Sequence, residues 1–174
     1  MPKGMVVSID PQRECVAAIR SNAAINDFGQ IEIVHAAAGA HDGAVELILT
    51  EDSLWSRTST VGEHALEIRR DLVSAITLDA LALDGLLRSP HVVKIDVEGA
   101  DLDVLAGMTR LLAQSQPVVI CELHGRNAEF CEIMAKAGYR VTNLDSSEHV
   151  SDAPGNVHAL AEPPGWRLGW PGGT

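Results

Sequence analysis

Cationic side chains are scarce in this sequence. Lys and Arg number 13 against 24 Asp and Glu, for a formal net charge of −11. Binding to nucleic-acid phosphates or anionic membranes draws its affinity from clustered Lys and Arg, so both are excluded as general activities. Cysteine is scarce too. Cys15, Cys121 and Cys131 are odd in number, lack metal-ligand spacing and lie in apolar patterns, which reads as reduced core residues of a cytoplasmic protein. No apolar run approaches the roughly 20 residues of a membrane span, and Met1-Pro2-Lys3-Gly4 lacks the apolar region of a signal peptide. Internal repeats are missing as well. What is present is a chain of 174 residues, 46% hydrophobic, which suffices for one domain with a real core. That domain is expected over residues 1–162, with the Pro- and Gly-rich stretch 163–174 as a disordered tail whose Trp166 and Trp170 could dock on the body.

Hydrophobic periodicity alternates between strand and helix. Met5 to Ile9 reads as a strand, and Asp10-Pro11 suits a helix N-cap followed by proline at the first helical position. The helix then runs to about Asn26, with Cys15, Val16, Ile19 and Ala23 on its apolar face. Ile31 to Ala37 reads as a second strand, which makes a βαβ crossover. Asp42-Gly43 is a turn signal, and Val45, Leu47 and Leu49 alternate as in a half-exposed strand. Ser53 to Gly62 reads as a surface loop. Ser53, Trp55 and Arg57 of that loop could cover a site or simply be exposed. Arg69 to Thr77 is a further strand candidate, and Leu78 to Leu87 a short helix ended by Ser89-Pro90. Pro117 to Leu123 is a near-continuous apolar strand. Asn127 is placed to cap a helix with the stripe Phe130, Ile133, Met134 and Ala137, stopped by Gly138. Tyr139 to Leu144 and Val157 to Ala161 are candidates for a final antiparallel pair.

The stretch from Val92 to Leu105 organises the rest. Val92, Val93, Ile95 and Val97 suit a strand buried on both faces, ending at Glu98. After Gly99 the period changes to about 3.6, and Leu102, Leu105, Met108 and Leu112 fall on one face of a helix beginning near Ala100. Asp101 and Asp103 lie in its first turn, where the macrodipole favours negative charge. Lys94, Asp96 and Glu98 share one parity and so project together, at the strand end where open α/β sheets bind ligands. Glu122 and His124 share a parity at the end of the next long strand. The two strand ends could gather three carboxylates and an imidazole, or Lys94 could simply pair with carboxylates at a polar strand terminus.

Lys94 through Asp103 resembles the signature of the FkbM-type methyltransferases that depend on S-adenosylmethionine. Similar stretches are Ser8-Ile9-Asp10-Pro11, Ala36-Ala37-Ala38, Ile76-Thr77-Leu78-Asp79 and Cys121-Glu122-Leu123-His124, so the likeness covers most of the chain. It implies an α/β, Rossmann-like class I methyltransferase fold with a mostly parallel sheet and helices on both faces. Relative to that pattern the sequence lacks the first strand and its Gly-rich turn, since only four residues precede the first strand and Gly39 to Gly43 comes too late to supply the turn. The resemblance implies S-adenosylmethionine as cofactor, with Asp10 chelating the ribose hydroxyls and Ala37 beside the adenine; Asp10 could equally be a helix cap and Ala37 a close-packed strand end. It places Asp96 and Glu98 among the cofactor- and substrate-facing groups. His124 or Asp96 could take a proton from an acceptor hydroxyl, with Lys94 fixing the carboxylates. A metal on Asp96, Glu98 and Glu122 is a weaker alternative, because Asp-x-Glu alone is a poor ligand signal. The expected partner is a small-molecule or sugar hydroxyl, with neither nucleic acid nor membrane. Self-association, or pairing with a missing N-terminal segment, is also expected. The competing reading is a non-catalytic Rossmann-like binding unit.

Overall fold

The computed structural model describes residues 4–50, 57–58, 67–86 and 88–166. It is an α/β structure with three sheets. Strands β1 (Val6–Asp10) and β2 (Ile31–His35) pair in parallel through helix α1 (Arg13–Ile25), as the crossover requires. Val16, on the expected apolar face of α1, is buried.

The second strand is shorter than its pattern predicts. It breaks at Ala36, and β3 (Ala37–Ala38) pairs instead with β6 (Glu67–Ile76) of another sheet. Side chains as small as those of Ala36 to Gly39 offer little packing to hold a strand in one register, so the chain can change partners here. Antiparallel pairing joins β4 (Gly43–Thr50) to β6 and to β5 (Arg57–Thr58), in the order β3-β6-β4-β5. Arg57, expected in a loop, therefore lies in a short strand; Ser53 and Trp55 fall outside the described residues. So does the tail beyond Trp166, Trp170 included.

The third sheet positions the site. Its order is β7-β8-β10-β9, where β7 is Val92–Asp96, β8 is Val118–His124, β9 is Arg140–Asn143 and β10 is Asn156–Glu162. β7 and β8 are parallel, and β10 runs antiparallel to both β8 and β9, giving the expected closing pair. The two-sided burial expected of β7 is not found. Ile95 is buried, but Val92 is 57% exposed, and the row Val92, Lys94, Asp96 lies open. The cause is topological: among the described residues β7 pairs only with β8, and β1 only with β2.

The expected long helix after Gly99 is two short ones, α3 (Asp101–Ala106) and α4 (Thr109–Gln114), although Leu102, Leu105, Met108 and Leu112 are all buried. The break at Gly107 has a packing reason. A Cβ at Gly107 would lie 2.0 Å from the Gly39 carbonyl oxygen and 3.3 Å from Thr77 Cβ, so only glycine lets the backbones approach. The Gly107 carbonyl in turn accepts the Asp79 N–H at 2.9 Å.

Thr77-Leu78-Asp79 is a capping device. Thr77 Oγ1 accepts the Ala80 N–H at 3.1 Å and caps α2 (Leu78–Leu83), while its own N–H donates to the Asp42 carboxylate at 2.7 Å. Asp79 caps the other helix, accepting the Arg110 and Leu111 N–H groups at 2.9 Å each, because Met108 at the N-cap of α4 has no side-chain acceptor. Leu78 and Leu81 then face the core, whose fully buried members include Leu105, Met108, Val119, Cys121, Leu123, Phe130 and Met134.

Helix α5 (Asn127–Lys136) carries the expected stripe, and Gly138 ends it in the left-handed region at φ 81°. Asn127 is not its cap. It is the first helical residue, and its buried amide donates to the Ala153 and Gly155 carbonyls at 2.8 and 3.0 Å, tying down the segment before β10. The three cysteines are free, with Cys121 in the core and Cys15 and Cys131 half-buried. No helix among the described residues is long and apolar enough to cross a membrane.

Two stability predictions follow from these contacts. Gly107→Ala should cost about 3 kcal/mol, because the clash is with backbone that cannot rotate away. Gly29→Ala, which meets nothing within 4 Å, should change stability by less than about 0.5 kcal/mol. Equal denaturation midpoints for the two would refute the close-approach account. Asp79→Ala should cost about 1–2 kcal/mol by leaving two α4 donors uncapped, and Asp79→Asn, which keeps an acceptor, should cost less. Urea unfolding of the pair checks this.

Candidate active site

The site is built by strand register. In the parallel β7–β8 pair Lys94 stands opposite Ile120 and Asp96 opposite Glu122, so the shared parity read from each strand becomes one shared surface. Lys94 Nζ donates to the Asp96 carboxylate. That bond foremost, opposed by burial and helped to a lesser degree by the Lys94 charge and by Glu122, holds the Asp96 carboxyl below its usual range. Both side chains are half-exposed, so the pair orients Asp96 more than it stabilises the fold.

Glu98 follows β7, and Gly99, at φ 71°, turns the chain into α3. Glu98 Oε2 lies 3.4 Å from His124 Nε2, and Glu122 Oε1 lies 3.9 Å from the same nitrogen. Lys94, Asp96, Glu98, Glu122 and His124 therefore do come together at the carboxyl ends of β7 and β8. His124 is the most enclosed of the five, its side chain 12% exposed.

Three further residues complete the cluster, and sequence reasoning missed their part in it. Antiparallel pairing sets His158 of β10 opposite Glu122, and His158 Nε2 lies 3.5 Å from Glu122 Oε2. Asp145 accepts the His158 N–H at 2.7 Å and lies 3.1 Å from His158 Nδ1; the N–H bond foremost, then the imidazole, holds its carboxyl below the usual range. Asp101, 1% exposed, accepts the His124 N–H at 3.3 Å through Oδ2, which is 3.8 Å from His124 Nδ1. The period of β10 could have flagged His158, a polar side chain between buried Val157 and Ala159. Asp101 gave no such signal, since an acid in a first helical turn is ordinarily exposed.

Asp10 and Ala37 stand on other strands. Asp10 ends β1, and its Oδ1 accepts the Gln12 N–H at 2.7 Å. The capping role expected for it is not found: α1 begins at Arg13 with Gln12 at the N-cap, so Asp10 and Pro11 form the turn before the helix. Burial raises the Asp10 carboxyl above its usual range, opposed by the Gln12 N–H and by His35, its partner across β2. Ala37 is buried in β3, beyond the break in the expected strand. A cleft of about 470 Å³ opens beside the Asp10 turn, lined by Pro11, Gln12, Arg13, His35, Leu49 and Arg69 among others. The β7–β8 cluster does not line it. Among the described residues no group of three or more His, Cys, Asp or Glu side chains is arranged to hold a metal ion.

Comparison with known proteins agrees with this architecture. Residues 1–141 match the Methyltransferase FkbM domain family. The hexuronic acid methyltransferase AglP of Haloferax volcanii is 48% identical over 64 residues, which are 36% of this chain and 26% of that protein. The crystal structure of an FkbM methyltransferase from Methylobacillus flagellatus superposes with a TM-score of 0.57 at 16% identity, over 90% of this chain and 36% of that one. The matched regions thus span about a quarter to a third of those relatives. With four-fifths of its length matched by the family, this chain belongs to the FkbM methyltransferases.

Proposed function

We propose that the protein transfers a methyl group from S-adenosylmethionine to a hydroxyl of a small molecule or sugar, with His124 as general base. The observation that carries this reading is the placement of His124 Nε2 at the open strand end, within 4 Å of Glu98 and Glu122. The Haloferax relative is a hexuronic acid methyltransferase by name, which supports a sugar acceptor.

When bound, S-adenosylmethionine supplies a methyl group already activated by its sulfonium, so the protein's task is alignment and proton removal. Asp10 suits the ribose. A carboxylate has about four acceptor sites, and the Gln12 N–H takes one, leaving capacity for hydroxyl donors. Ala37 would present a small surface to the base. At the other end, Glu98 and Glu122 can accept from neighbouring hydroxyls of a polyol while His124 takes the proton of the reacting one. Lys94 holds Asp96 beside Glu122. The positive charge that develops on the imidazole lies close to the surrounding carboxylates, which favours the transfer.

A second reading is a non-catalytic binding unit. It is favoured by the one-sided pairing of β1 and β7 among the described residues. Titration with S-adenosylmethionine and a methyl-transfer assay over a panel of hydroxylated acceptors, hexuronates included, separate the two. His124→Gln should lower kcat by about 10²-fold or more while leaving cofactor affinity unchanged. Full activity in that variant would remove His124 as the base.

Asp10→Asn should weaken S-adenosylmethionine binding by about 1–3 kcal/mol through loss of charge-assisted hydrogen bonds. Its stability should hold at neutral pH. The folded pKa of Asp10 is raised, so its contribution to stability is full below the unfolded value and is lost as pH rises through the folded one. At neutral pH the charge is already a cost, which asparagine removes while keeping an acceptor for Gln12. Unchanged affinity would place Asp10 outside the cofactor site.

A further inference from the structure

Asp101, Asn127 and Glu162 are the buried polar or charged residues among those described. Asn127 donates to two carbonyls, and Glu162 pairs with Arg140. Asp101 is less well provided. Its Oδ2 accepts the His124 N–H at 3.3 Å, but its Oδ1 is buried with no hydrogen-bond partner. A carboxylate withdrawn from water is costly unless it is matched. A second orphan lies beside the same carboxylate: His124 Nδ1 is also buried without a hydrogen-bond partner, 3.8 Å from Asp101 Oδ2, the oxygen that accepts the His124 N–H. One atom can only accept when ionised and the other can donate, on adjacent elements already joined by one hydrogen bond.

We propose that Asp101 is the positioning residue of His124. A small torsional adjustment brings Nδ1–H onto the Asp101 carboxylate, at the roughly 2.9 Å of an ordinary N–H···O bond. This fixes the ring as the Nδ1–H tautomer and leaves the lone pair on Nε2, the nitrogen turned towards Glu98 and Glu122. In the reaction the acceptor O–H bond would break as an Nε2–H bond forms, and the electron pair left on the oxygen would make the new bond to the methyl carbon as the methyl–sulfur bond breaks, its pair leaving on the sulfur of a neutral thioether. Asp101 remains ionised and lies behind the resulting imidazolium. The other charged groups around the ring are Glu98 from the turn before α3, Glu122 on its own strand with Asp96 and Lys94 beyond it, and His158 from β10 on the far side of Glu122. Asp101 touches neither substrate nor cofactor; it acts through His124. The inference deepens the reading of His124 as the base and, for its role in catalysis, rests on that reading.

The test is ¹⁵N NMR of the histidine rings in the full protein, with His124 assigned by its loss in His124→Gln, at a pH where the ring is neutral. The wild type should show a protonated Nδ1 and an unprotonated Nε2. Asp101→Asn keeps an acceptor for the His124 N–H but turns an amide donor towards Nδ1. The population should move to the Nε2–H tautomer, and kcat should fall at least tenfold with the acceptor KM little changed. A wild-type ring protonated at Nε2, or a spectrum that Asp101→Asn leaves unaltered, overturns the assignment. Should Asp101→Asn not fold, the wild-type spectrum alone decides. If His124→Gln retains methyl transfer, the base reading fails while the tautomer measurement still stands, so the two failures are distinguishable.

Discussion

The hydrogen-bonded register of β8 with its two neighbours is the constraint on which the site depends. Parallel pairing sets Asp96 beside Glu122, and antiparallel pairing sets His158 beside the same residue. Because side chains alternate at a period of two, a slip of one residue in either ladder would turn one partner to the opposite face and dissolve the cluster. That register is held from the other face, where Val119, Cys121 and Leu123 are fully buried against Phe130, Met134 and the residues of α3 and α4. The acidic surface is therefore fixed by the apolar one behind it.

Much of this was legible in the sequence, for reasons that differ by element. The strands with β-branched, apolar runs and the helices with clear stripes, such as Phe130 to Ala137, announce themselves because burial imposes their period. The convergence of Lys94, Asp96, Glu98, Glu122 and His124 was readable because parity is a local property and the two strands proved to be neighbours. What was not legible is long-range. The turn to a new partner at Ala36 depends on a competing sheet, and the split at Gly107 depends on Gly39, 68 positions earlier in the chain. His158 enters the site through an antiparallel register that no single strand encodes. Asn127 and Asp10 look like caps, and each has its acceptor or donor groups used by partners that the cap pattern does not specify.

One stretch that carries the family resemblance, Ile76 to Asp79, turns out to hold the scaffold. Thr77 and Asp79 cap two different helices, and Asp42 ties the turn before β4 to the same point. Asp79 thereby joins α2 to the start of α4, and the N–H of the same residue reaches Gly107. Polar residues at such places satisfy backbone groups that helix ends leave open. A motif acid in this family is thus not evidence of a catalytic acid until its partners are known.

The two faces of β8 also have a consequence for how its sequence can vary. Cys121 and Leu123 pack in the core, while Glu122 and His124 beside them in sequence face the site, so a volume change in one set displaces the backbone that carries the other. Substitutions on this strand cannot be sorted into those that affect folding and those that affect chemistry. Variation that elsewhere would be neutral is here judged twice, and the chain has more freedom to vary at Asp145 and His158, which are half-exposed, than along the strand that anchors them.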